Sequence, residues 1–142
     1  MNKPVTTLRT PDALIAAGLV AADQRDSIAA VAGRYAIAIT PHMATLINSN
    51  DPDDPIARQF IPTAAELEAT ADELHDPIGD EARSPLNGIV HRYPDRVLLK
   101  LAHVCPVYCR FCFRRETVGL GGEASLGADE LAAALGYIAS NT

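Results

Sequence analysis

Polar and apolar residues change rhythm part-way along the chain. Up to Val90, short apolar stretches are broken by proline, glycine and Asx residues, which predicts several short helices. Thr10-Pro11-Asp12 combines a capping hydroxyl, a proline at the first helical position and an acid in the first turn. It predicts a helix ended by Gly18. A second helix is predicted from Gln24 to Ala32, stopped at Gly33. Tyr35-Ala-Ile-Ala-Ile39 fits either a strand or a helical turn. Thr40-Pro41 repeats the start signal and predicts a helix through Leu46 and Ile47. Asn48-Ser-Asn-Asp-Pro-Asp-Asp-Pro55 reads as a loop. Thr63-Ala-Ala-Glu66 has capping-box spacing and predicts a helix as far as Leu74. From Asp76 to Gly88 the chain reads as irregular.

The pattern then switches. Arg96-Val-Leu-Leu-Lys-Leu-Ala102 is compact and mostly apolar, and predicts a buried parallel strand. A cysteine-containing loop follows, then the Gly-rich stretch Gly119-Leu-Gly-Gly122. A helix is predicted from Ala128 to Ser140, with Asp129 and Glu130 in its first turn and an apolar stripe of Leu131, Leu135 and Ile138 beside Ala134. Strand, loop, helix is the first unit of an α/β fold, either a β/α barrel or a doubly wound sheet. In such folds functional groups gather at the C-terminal ends of strands. One βα unit cannot make a sheet. The expectation is an N-terminal fragment of a longer protein, with residues 1–90 a helical extension and residues 91–142 the start of the barrel. The alternative is a complete helical domain with one edge strand.

The composition is globular: 142 residues, 48% of them apolar. No apolar run approaches the roughly 20 residues of a membrane span, and the N-terminus has no apolar signal region. A cytoplasmic protein that does not bind membranes is expected. The formal net charge of −6 argues against nucleic-acid binding. That charge is unevenly placed. Asp51–Glu81 holds ten acids and one basic residue, Arg58, whereas His91–Arg115 holds six basic residues and one acid, Asp95. The basic stretch can hold small anions such as phosphate or carboxylate, or its arginines can pair with the acidic segment.

All three cysteines lie within eight residues, Cys105-Pro-Val-Tyr-Cys109-Arg-Phe-Cys112. Such spacing lets one loop direct three sulfurs at a common centre. Three thiolates leave a four-coordinate metal or a four-iron cluster one position short, and an open position is what catalysis at a metal needs. Three readings are open: a 4Fe–4S cluster with one iron left for a ligand, zinc with His103 as fourth ligand, or ordinary buried thiols. Structural zinc sites usually tie distant segments together, and four ligands within ten residues tie down little. Ordinary buried thiols would not gather in a polar, arginine-rich loop.

Cys-x3-Cys-x2-Cys after a first strand resembles the radical S-adenosylmethionine superfamily. His91-Arg-Tyr-Pro-Asp-Arg-Val-Leu-Leu-Lys100 and Tyr108-Cys-Arg-Phe-Cys-Phe-Arg-Arg115 resemble its lysine 2,3-aminomutase family, as do Asp76-Pro-Ile-Gly-Asp80 and Ser84-Pro85. The resemblance implies a partial (β/α) barrel, a 4Fe–4S cluster, S-adenosylmethionine and pyridoxal 5′-phosphate (PLP). The implied reaction is migration of an amino group between adjacent carbons of lysine or a related amino acid. The implied cluster ligands are Cys105, Cys109 and Cys112. Phe111 would lie near the adenine of S-adenosylmethionine, Arg92 and Arg96 near the PLP phosphate, and Arg114 at the substrate carboxylate. Arg110 and Arg115 would neutralise the cluster, and His103 would be a hydrogen-bonding loop residue. An electron donor such as flavodoxin or ferredoxin and a homo-oligomeric full-length enzyme are also implied.

The sequence departs from the family pattern in what it lacks. Its two lysines, Lys3 and Lys100, do not match the family's PLP lysine. The acids that recognise the distal amine of the substrate are missing. Gly121-Gly-Glu123 has the letters of the family's S-adenosylmethionine-binding segment but no second strand before it, and reads as a turn. The segment alone is expected to be inactive. Rival readings are a branch that modifies a lysyl group for elongation factor P, and a non-catalytic zinc or iron–sulfur module.

Overall fold

The computed structural model describes residues 6–115, 117–118 and 125–141. Helices are α1 (Pro11–Ala16), α2 (Arg25–Ala32), α3 (Pro41–Leu46), α4 (Pro55–Phe60) and α5 (Ala128–Ser140), and strands are β1 (Ile89–Tyr93) and β2 (Arg96–Leu99). Short 3-10 turns occupy Ala22–Gln24, Ala64–Leu67 and Glu81–Arg83. The architecture is mixed helix and small sheet. Among the described residues no helix is long and apolar enough to cross a membrane. The chain divides into two compact units, Met1–Glu73 with Cys105–Leu120, and Leu74–Val104 with Gly121–Thr142.

In the first unit, three short helices share one start device. Thr10, Thr40 and Asp54 each place a side-chain oxygen on a backbone N–H three residues on (Ala13 at 3.2 Å, Met43 at 3.3 Å, Ala57 at 2.6 Å), and each precedes a proline. The proline has no N–H to leave unpaired, and the cap satisfies one of the orphan donors beyond it. The Asp54 helix begins where the loop expected over Asn48–Pro55 ends, and Asp54-Pro55 is its cap-and-proline signal. Gly18 leaves α1 at φ 70°, a left-handed turn open to glycine.

These helices and α2 bury Leu14, Ile28, Ala44 and Phe60 against Leu8, Ile37, Ile39 and Ile47. The segment from Tyr35 to Ile39 resolves as extended: Leu8 and Ile39 exchange backbone hydrogen bonds of 2.8 and 3.1 Å in an isolated antiparallel bridge. The helix expected from Thr63 to Leu74 is one 3-10 turn, because Glu68 leaves helical geometry at ψ 79°. Beyond it Leu74 is 68% exposed, so the segment has no apolar face to bury, and packing is what sustains a helix of that length.

In the second unit, β1 and β2 pair antiparallel, with Ile89 opposite Leu99, Val90 opposite Leu98 and Tyr93 opposite Arg96. This corrects the buried parallel strand expected over Arg96–Ala102. Pro94-Asp95 reverses the chain, so β2 returns along β1, and Leu98 is 43% exposed on a one-sided ribbon. Ala102 forms an isolated antiparallel bridge with Ser125, and Leu126 N donates to Leu101 O at 3.1 Å. Gly88 has φ 82°, and a Cβ there would lie 2.4 Å from Leu126 Cδ1, so both conformation and space require glycine.

Helix α5 matches its predicted bounds. Its buried face centres on Ala134, while Leu135 of the expected stripe is exposed. Glu130 closes the N-terminus by accepting from Gly127 N at 2.9 Å and from Asn87 Nδ2 at 2.6 Å. Tyr137 shares a 2.6 Å hydrogen bond with His91 Nδ1 on β1.

Candidate functional site

The cysteine loop lies in the first unit and is fastened to its helical part. Tyr108 N donates to Ala38 O at 2.9 Å and Arg110 N donates to Gln59 O at 2.8 Å. The loop turns on itself through Cys112 N to Cys109 O at 3.2 Å and Arg115 N to Cys112 O at 3.1 Å. Tyr108 is buried, and its hydroxyl donates to Arg115 O at 2.7 Å, closing the turn from behind. Val107 and Cys109 pack against the helical core.

All three thiols are free: Cys105 is exposed, and Cys109 and Cys112 are half-buried. The donor set fits a four-iron cluster with one iron left open. The side chains have not converged, because among the described residues no group of three or more His, Cys, Asp or Glu side chains is placed to hold a metal ion. Cys109 packs against the helical core and Cys112 is tied to it through the turn, whereas Cys105 is exposed. His103 Nε2 is buried without a hydrogen-bond partner among the described residues.

The arginines divide by environment. Arg110, between two cysteines, is 5% exposed and turned into the helical part of its unit. Its Nε lies 3.0 Å from both Glu66 oxygens, its Nη2 2.5 Å from Oε2, and its Nη1 donates to Ala36 O at 2.6 Å. Its guanidinium also covers the Tyr108 ring at 5.0 Å. It is thus an internal ion pair, one of the two roles open to the basic stretch. In the sequence Glu66 reads only as the acid of a capping box. The available signal was the concentration of acids before residue 81 facing arginines after residue 91. Arg115 stands 4.4 Å over the Tyr35 ring, with Nη2 3.9 Å from Glu73. Arg114 is half-buried with its guanidinium 4.8 Å from the Phe113 ring, and Phe111 is 71% exposed.

Arg92 and Arg96 belong to the second unit. Arg92 Nη2 donates to Ile78 O and approaches Asp80 Oδ1 at 3.4 Å. Asp80 N and Glu81 N in turn donate to Asp76 at 2.9 and 2.7 Å, and these bonds, with the nearby Arg92 charge, hold the Asp76 carboxyl below the ordinary aspartate range. Arg96 forks onto its neighbour Asp95 at 3.0 and 2.8 Å and covers the Tyr93 ring at 5.5 Å. Gly121-Gly-Glu123 lies outside the described residues.

No family model matches the chain. Individual proteins do. Over 116 residues it is 40% identical to the L-lysine 2,3-aminomutase of Clostridium subterminale, covering 82% of the chain and 28% of that protein. Over 134 residues it is 34% identical to the L-lysine 2,3-aminomutase of Bacillus subtilis (strain 168), covering 93% of the chain and 28% of that protein. Over 96 residues it is 38% identical to the glutamate 2,3-aminomutase of Clostridioides difficile (strain 630), covering 68% of the chain and 22% of that protein. The chain therefore spans less than a third of the length of these relatives.

Proposed function

Because this chain belongs to the lysine 2,3-aminomutase family, we propose that it carries the cluster-binding segment of a radical S-adenosylmethionine aminomutase, built at the start of a partial (β/α) barrel. The proposed reaction is 1,2-migration of an amino group on lysine or a related amino acid. The observation that carries this reading is the mounted loop with three free thiols in eight residues. When bound, the cluster with S-adenosylmethionine supplies a radical that abstracts hydrogen, and PLP supplies the platform for the migrating nitrogen.

Cys105, Cys109 and Cys112 would hold the cluster. Half-burial of Cys109 and Cys112 would shield such a cluster in part from water, and the exposure of Cys105 would leave it accessible to ligand and electron donor. Phe111, 71% exposed, would offer a ring face to the adenine. Arg96 suits a phosphate because its pair with Asp95 is between exposed sequence neighbours. Such pairs contribute about 0–1 kcal/mol, so a dianion can displace the carboxylate. Arg92 would join Arg96 at the phosphate, exchanging its contact with Asp80 for the anion. Arg114 would bind the substrate carboxylate. Flavodoxin or ferredoxin as electron donor, a homo-oligomeric holoenzyme and a cytoplasmic setting complete the proposal.

The test is anaerobic reconstitution of the full-length protein with iron and sulfide, followed by electron paramagnetic resonance of the reduced state. A brown species whose spectrum shifts on adding S-adenosylmethionine is expected. Tight zinc binding without iron uptake would replace this reading with a structural one. Cys109→Ala should lose most of the bound iron, and a full iron complement in that variant would contradict the three-thiol assignment.

A further inference from the structure

We infer that Glu66 is a positioning residue for the cysteine loop: through its buried pair with Arg110 it fixes the Cys109–Cys112 turn before a cluster is bound. The inference rests on the cluster-binding reading given above.

Arg110 follows one ligand and precedes another, so whatever holds it holds the turn. Its backbone N–H is anchored at Gln59 O (2.8 Å), its Nη1 at Ala36 O (2.6 Å), and its Nε and Nη2 at Glu66 (2.5–3.0 Å). One residue of the loop is thereby tied to three separate places in the helical part. Glu66 is itself immobilised, because Oε1 also accepts from Thr63 N at 2.9 Å in the 3-10 turn. The pair is shut away from solvent, the Arg110 and Glu66 side chains being 3% and 12% exposed.

Stability alone is a poor reason for this arrangement. Two charges lose hydration on burial, and a well-packed apolar pair would often serve stability as well or better. A guanidinium fork on a carboxylate instead defines a direction and a distance, which apolar packing does not. Groups that orient metal ligands without touching the metal commonly change metal affinity about 10–100-fold when removed. Cys105 has no such mount and is exposed, so the device acts on two ligands of three.

The test uses the full-length protein and Glu66→Gln, which keeps size and removes charge. The first readout needs no metal: alkylation of each cysteine under anaerobic reducing conditions, followed by mass spectrometry. Cys109 and Cys112 should react about tenfold faster in the variant, with Cys105 unchanged. The second is release of reconstituted iron to a chelator, expected about tenfold faster, with an altered spectrum of the reduced cluster. Adding Glu66→Gln to Arg110→Met should accelerate release no further, since both remove one interaction. Leu14→Ala, in the core of the same unit, controls for lost stability. If Glu66→Gln does not fold, Arg110→Lys keeps the charge, loses the fork and should show the same selective reactivity at a smaller amplitude. Wild-type alkylation rates at Cys109 and Cys112, or effects no larger than those of a Leu14→Ala variant of equal stability, would overturn the inference while leaving the cluster reading intact. Failure of the wild-type protein to take up iron would sink the cluster reading instead, and the alkylation measurement would still decide whether Glu66 fixes the turn.

Discussion

Gly88 and Gly79 both sit at positive φ, 82° and 68°, but only Gly88 has close neighbours, the Leu126 side chain at 2.4–3.2 Å from a built Cβ. An L-residue in the left-handed region costs about 1–2 kcal/mol. Gly79→Ala should therefore lose about 1 kcal/mol, and Gly88→Ala about 2–3 kcal/mol once overpacking against Leu126 is added. Denaturant midpoints of the two variants check the difference. Leu14, fully buried, should cost about 2–5 kcal/mol as alanine. None of these contrasts can be seen in the letters, since a glycine in a loop reads the same whether or not a leucine from a distant segment lies against it. The cysteines are the opposite case. Their clustering is a local fact, and the structure adds that Cys109 packs on the helical core while Cys105 is exposed.

Helix starts were largely legible because they are local chemistry. Thr10-Pro11, Thr40-Pro41 and Asp54-Pro55 all cap as their residue types require, and only the last was obscured by the Asx-rich stretch around it. Asp54→Ala should cost about 1–2 kcal/mol, because the carboxylate caps α4 at Ala57 N and also accepts from Asn48 N at 3.2 Å. Thermal unfolding measures it. Two carboxylates of the second unit that accept from backbone N–H groups carry a pH dependence. Asp76 is lowered by the backbone N–H groups of Glu81 and Asp80, and Glu130 by Gly127 N and then by Asn87. Both folded pKa values lie below the unfolded ones. Their stabilisation is present above the ordinary carboxylate values of 3.8 and 4.5 and is lost as pH falls through the lowered folded values. Protection factors for amide exchange at Asp80, Glu81 and Gly127 should fall over that acid range ahead of those at Leu8 and Ile39, which bond without carboxylates. Element length was harder to read: the Thr63 cap is real, but the segment behind it buries nothing.

The two compact units each combine distant stretches of chain, so a linear division cannot describe their packing. The first joins the helical segment to the cysteine loop, and the second joins the β1–β2 hairpin to α5. In the reconstituted protein, air should bleach the cluster while helical content, read by far-UV circular dichroism, stays near its anaerobic value, because the helical core of the first unit draws mainly on residues outside the loop. Cluster loss together with wholesale unfolding would contradict that separation. What the amino-acid order settled was short-range: caps, turns, the clustering of the thiols, the span of α5 and, through the resemblance those thiols and arginines carry, the aminomutase family. Capping bonds reach three residues, and the three cysteines lie within eight, so neighbours in sequence suffice. What folding settled was long-range: the antiparallel return of β2, the truncation of the Thr63 helix, and the pairing of Arg110 with Glu66 across 44 residues. Burial chose between an anion site and an ion pair for that arginine, and burial is a property of the packed chain.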